Sequence, residues 1–191
     1  GEVPVICGIN HTGTDIVIEL AQYAESIGAD GVMLTPPYYW ISPSEESIFT
    51  HYKEVSDSIN IGIMIYNNPN IVNMDFSVEF LLKLSKLENI AAIKECTPFM
   101  TKYKRVVENL SDKMAVINGI GEQIEPLSYR MGTKSYTSGF ANFLPSLCVE
   151  LHENAIKGNY EKAEKIIENM RPLQNIMDRY MEKVGLPQGL R

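Results

Sequence analysis

Cysteine is scarce in this sequence: Cys7, Cys96 and Cys148 are an odd set of three, far apart and without a CxxC pair. That pattern excludes a disulfide framework and a zinc finger, and points to a reducing compartment, the cytoplasm. Positive charge is also short. Lys and Arg number 17 against 24 Asp and Glu, a formal net charge of −7. An acidic surface argues against nucleic acid or an anionic membrane as partner, because each phosphate contact needs a local cation. Nothing approaches the roughly 18 consecutive apolar residues of a membrane span, and no secretory signal is expected, since no basic segment followed by an apolar one opens the chain. Neither GxGxxG nor GxxxxGK[ST] occurs, which leaves an open nucleotide-binding sheet as a remote alternative. The histidines His11, His51 and His152 lack metal-ligand spacing, so packing or surface roles are expected and no metal.

What is there reads as an ordinary globule, 45% hydrophobic and 21% charged over 191 residues, long enough for one substantial core. Gly rather than Met stands first, with a core-strand pattern immediately behind it, so the chain is expected to be cut at its start. Short apolar runs recur at 3–9, 32–37, 61–66, 90–94, 114–119 and 135–139. They show little alternation, as parallel strands covered on both faces do. Helical spacing fills the gaps. Residues 14–28 place Ile16, Leu20, Tyr23, Ala24 and Ile27 on one stripe, and Ser42-Pro43-Ser44-Glu45 reads as a capping-box start. Gly28 and Gly132 sit where helix C-caps belong. A chain of βαβ units follows. Six units in a fold that needs eight predict a TIM (β/α)8 barrel lacking its first two β/α units, over residues 1–142. Residues 143–191 predict a C-terminal helical region packed on that barrel.

Lys94 ends the apolar run Ile90–Ile93, which puts it at the C-terminal end of a buried strand, the face where barrel active sites lie. Partial desolvation there disfavours an ammonium, and a neutral amine can attack a ketone or aldehyde to form a Schiff base. The plain alternative is a lysine that snorkels to solvent or pairs with Glu95. Tyr66 ends the preceding run in the same way, where a phenol could serve as general acid and base. Tyr38, Tyr39 and Trp40 suit a pocket wall or a subunit interface, and equally a merely structural corner. Gly119 and Gly121, with Ser138-Gly139, permit close backbone approach by a ligand.

Together these positions resemble the dihydrodipicolinate synthase / N-acetylneuraminate lyase family of Schiff-base barrels. The resemblance rests on Gly28-Ala29-Asp30-Gly31, Pro37-Tyr38-Tyr39, Tyr66-Asn67-Asn68-Pro69, Asn89-Ile90, Ile93-Lys94-Glu95, Gly119, Ser138-Gly139-Phe140-Ala141-Asn142 and the terminal Gly185–Arg191. It implies that Lys94 forms the Schiff base with pyruvate or another 2-oxo acid and that Tyr66 relays protons. By the same resemblance Tyr39 joins a hydroxyl relay at a dimer interface, and Gly119 and Thr137 line the bound keto acid. Aldol cleavage, condensation or dehydration without organic cofactor or metal, in a homo-oligomer, is what the family leads one to expect. Ile71 stands where the true synthases carry an arginine, which favours a sugar-acid aldolase or dehydratase. A true synthase and a non-catalytic keto-acid sensor or scaffold are the alternatives.

Overall fold

The computed structural model describes residues 2–39 and 44–184. They pack as two compact units, Gly1–Asn118 and Gly119–Arg191. The first unit is built on a parallel sheet in the order β1-β2-β3-β4-β5. Its strands are β1 (Ile6–Gly8), β2 (Gly31–Leu34), β3 (Gly62–Asn67), β4 (Ile90–Glu95) and β5 (Ala115–Asn118). Sequential neighbours that run parallel need a crossover, and helices supply it. These are α1 (Thr14–Ser26), α2 (Glu45–Ser58), α3 (Pro69–Val72) followed by α4 (Val78–Leu84), and α5 (Met100–Leu110).

Val32, Leu34, Ile63, Ile65 and Ile93 are fully buried, as strands covered on both faces demand. The first strand departs from that expectation. Val5 and Ile6 are about half exposed, because β1 pairs with β2 alone and lies at the sheet edge. Helix α1 also departs: it buries Val17, Ala21 and Ala24, while Ile16, Leu20, Tyr23 and Ile27 of the expected stripe are exposed. The inward ridge is the adjacent one, whose small alanines admit close approach to the sheet. Ser44 caps α2, its Oγ accepting from the Ser47 N–H at 3.2 Å, and Ser77 caps α4 through the Phe80 N–H at 3.0 Å. Both satisfy an otherwise orphan donor. Ser42 and Pro43 of the expected capping box lie outside the described residues. Gly28 and Gly132 take φ of +84° and +113° just past their helices, as C-caps do.

The second unit opens with a 3-10 turn, Glu122–Ile124, and continues through α6 (Leu127–Met131), a second 3-10 turn (Phe140–Asn142), α7 (Pro145–Ile156) and α8 (Tyr160–Val184). The sixth expected strand is absent among the described residues; only Tyr136 makes an isolated bridge. Its polar side chains find partners within their own unit instead. The Tyr136 hydroxyl donates to the Cys148 carbonyl at 3.0 Å, and Ser138 donates to the Glu122 carboxylate. Leu151, Ala163, Ile166 and Met170 are buried in one apolar cluster, whereas Ile156 stays exposed. Tyr129 and Phe140 join the same apolar cluster. The packing therefore divides after Asn118, upstream of the boundary in pattern at 142. No helix among the described residues is long and apolar enough to cross a membrane.

Candidate active site

Strands β3 and β4 pair in register with Tyr66 opposite Lys94 and Asn67 opposite Glu95. Side chains alternate along a strand, so Tyr66 and Lys94 share one face and Asn67 and Glu95 the other. On the first face the Lys94 Nζ stands 4.4 Å from the centre of the Tyr66 ring, within cation–π range. Both residues are half-buried. The Tyr66 oxygen accepts from Asn68 Nδ2 at 3.0 Å, and the Cys96 thiol is its other hydrogen-bonding neighbour. Burial raises the Tyr66 phenol above its ordinary range, and the Asn68 donor pulls the other way. Burial also pushes the Cys96 thiol up to about 12, against the pull of nearby Lys94.

The opposite face carries a buried polar layer whose outer member, Asp75, reaches solvent. Asn67, Glu95 and Thr97 are fully buried. Asn67 Nδ2 donates to both Glu95 oxygens, at 3.0 and 2.9 Å, and to Asp75 Oδ1 at 3.1 Å. The Thr97 N–H donates to Glu95 Oε1 at 2.7 Å, and Lys102 pairs with Asp75. Burial holds the Glu95 carboxyl above the usual carboxylate range, with Asn67 opposing it. Glu95 thus bonds to Asn67 and Thr97 from the face of β4 away from Lys94, and the pairing weighed from sequence gives way to a strand-to-strand clamp. A slip by one residue would turn all four side chains to the wrong face, so this clamp helps to fix the register that sets Lys94 beside Tyr66.

Tyr39 lies past β2 and is 75% exposed. Trp40 and the terminal residues 185–191 fall outside the described residues. Ile71 is about half exposed on α3. Gly119 and Thr137 belong to the second unit. There the Thr137 carbonyl oxygen lies 3.2 Å from where a Cβ on Gly121 would stand, at a φ of +87°. The close approach that Gly121 permits is by its own chain. His51 is buried, its Nδ1 2.9 Å from the Thr14 hydroxyl, and His152 Nδ1 lies 2.6 Å from the Tyr129 hydroxyl. Sequence reasoning passed over Asn67, Asn68, Thr97 and Asp75 as site residues. The available signal was a carboxylate and two amides at the ends of otherwise apolar strands, where burial demands partners.

Residues 1–190 match the model of the dihydrodipicolinate synthetase family. The chain belongs to this family. It is 32% identical over 188 residues to a 4-hydroxy-tetrahydrodipicolinate synthase of Psychrobacter sp. strain PRwf-1, covering 98% of this chain and 61% of the relative. To the synthase of Methylobacterium radiotolerans it is 35% identical over 175 residues, covering 91% of this chain and 58% of the relative. The dihydrodipicolinate synthase structure from Aquifex aeolicus superposes with a TM-score of 0.89 at 30% identity, covering 98% of this chain and 63% of that one. A chloride-inhibited dihydrodipicolinate synthase from Acinetobacter baumannii, complexed with pyruvate, superposes with a TM-score of 0.85 at 28% identity, covering 92% and 60%. The parallel β/α array is accordingly that of a (β/α)8 barrel fold. The chain spans about three-fifths of the length of the curated relatives it matches.

Proposed function

We propose that this chain carries the reacting lysine and tyrosine of a Schiff-base lyase acting on 2-oxo acids. The observation that carries the reading is the Lys94 nitrogen over the Tyr66 ring at 4.4 Å, at paired positions near the C-terminal ends of neighbouring parallel strands. The uncharged Lys94 amine attacks the carbonyl carbon, and the carbinolamine loses water to give a protonated imine. That imine accepts the electron pair of the bond broken next to it, leaving an enamine; run backwards, the enamine attacks an aldehyde. Tyr66 gives and takes the protons of these steps. Hydrolysis of the imine returns the free lysine. The chemistry asks for no metal and no organic cofactor.

Tyr39 as a hydroxyl relay, and the backbone at Gly119 and Thr137 as a keto-acid contact, belong to the same proposal. So do a cytoplasmic setting and a homo-oligomer with Tyr38 and Tyr39 at its interface. Pyruvate in the Acinetobacter relative supports pyruvate as the acid that is bound. Ile71 supplies no cation for a second substrate's carboxylate, which favours cleavage or dehydration of a sugar acid over condensation with aspartate semialdehyde. The names of the relatives favour a second reading, condensation with aspartate semialdehyde as a true synthase.

Borohydride reduction with pyruvate present tests the reading. It should add the mass of the reduced adduct to the peptide holding Lys94, and an unmodified Lys94 peptide would end it. Comparing turnover of sugar acids with that of aspartate semialdehyde separates the two reactions.

A further inference from the structure

A phenol hydroxyl rotates about its C–O bond until a neighbour fixes it, and a proton relay needs it fixed. Asn68 is placed to do this for Tyr66. It lies two residues on, with φ of −135° and ψ of 90°, so the extended backbone returns it to the same side as Tyr66. From there Nδ2 donates to the phenol oxygen at 3.0 Å. The residue stands at the N-cap of α3, where an asparagine ordinarily turns its side-chain oxygen onto the helix's free N–H groups. Here it makes no such cap, and Oδ1 is buried without a partner. The Asn68 backbone carbonyl accepts from the N–H groups of Ile71 at 3.0 Å and Val72 at 3.1 Å, which anchors the residue. An asparagine that forgoes its cap and leaves one buried oxygen unpaired is held for its contact with Tyr66.

We propose that Asn68 is a positioning residue for Tyr66: its amide fixes the hydroxyl rotor and supports the phenolate half of the proton relay. The inference rests on the reading of Tyr66 as that relay. Lys94 from β4 and Cys96 just past it face the phenol as well, while Glu95 turns to the other side of β4. Of the three neighbours, Asn68 is the one whose donor opposes desolvation of the phenolate.

The test uses the intact chain labelled with carbon-13 at tyrosine Cζ, the Tyr66 resonance being identified by its loss in Tyr66→Phe. Asn68→Val removes the donor, and the isosteric Asn68→Asp replaces it with a carboxylate. The Tyr66 titration midpoint should rise by roughly one to two pH units in the valine variant, the weight of one hydrogen bond to the anion, and further in the aspartate variant. A midpoint that stays put or falls in both variants overturns the proposal. The other tyrosine resonances report whether each variant keeps its fold, and Asn68→Asp, unchanged in shape, decides the matter should valine disrupt α3. Pyruvate trapping on Lys94, run alongside, should persist in both. Its absence from the unsubstituted chain would count against the lysine chemistry, and the titration would still decide the role of Asn68.

Discussion

The side-chain amide of Asn67 bridges both oxygens of Glu95, at 3.0 and 2.9 Å, and both residues are fully buried. Removing one partner strands the other. Asn67→Val should therefore destabilise the first unit by about 1–3 kcal/mol, the cost of an unsatisfied buried polar group. Asn67→Leu combined with Glu95→Met should cost less than the sum of the separate changes, since a matched apolar pair leaves nothing unpaired. Urea unfolding of the five proteins, the parent, Asn67→Val, Asn67→Leu, Glu95→Met and the double variant, measures both effects.

Tyr66→Phe removes the hydroxyl but keeps the ring beneath the Lys94 nitrogen. Borohydride should still trap pyruvate on Lys94 in this variant. Turnover should drop by roughly 10²- to 10⁴-fold, the usual worth of a positioned acid–base group. Equal turnover in variant and parent would remove Tyr66 from the chemistry.

His51 is buried, and desolvation lowers its pKa from 6.5 to about 4. The unfolded chain binds this proton more readily than the folded one. The stability that depends on a neutral His51 is thus complete above about pH 6.5 and drains as pH falls toward 4, by at most about 1.4 kcal/mol per pH unit. Thermal unfolding at pH 7.5, 6 and 5 should show this slope, and His51→Gln should flatten it.

Gly121 adopts φ +87° and ψ −150°, a region nearly closed to side chains, with the Thr137 carbonyl against the missing Cβ. Gly28 takes a φ of +84° with open space around it. Gly121→Ala should accordingly lose about 1–3 kcal/mol through strain and contact together. Gly28→Ala should lose about 1 kcal/mol, from conformation alone. Paired denaturation curves rank the two, and an alanine tolerated better at 121 than at 28 would contradict the geometry.

Apolar runs bounded by helical spacing determined the parallel β/α order, because burial on both faces of a strand leaves its mark on every residue of it. The same logic placed Lys94 and Tyr66 at strand ends, where a polar residue closing an apolar run is visible by itself. Other features hang on which neighbour a side chain meets, and no periodicity records that. Of the apolar stripe Ile16, Leu20, Tyr23, Ala24 and Ile27, only Ala24 is buried, since the ridge of Val17, Ala21 and Ala24 is the one turned inward. Ser138 and Tyr136 sit in a strand-like run, but their hydroxyls are satisfied by Glu122 and Cys148, and no ladder grows there. Most of all, Asn67, Asn68 and Glu95 look like ordinary polar residues at a turn. Only the pairing of β3 with β4 sets one amide against a buried carboxylate, and only the backbone at the start of α3 aims the other at a phenol. Hydrogen bonds are short and directional, so their partners are chosen by the tertiary fold, whereas burial sums over many contacts and can be read from the chain.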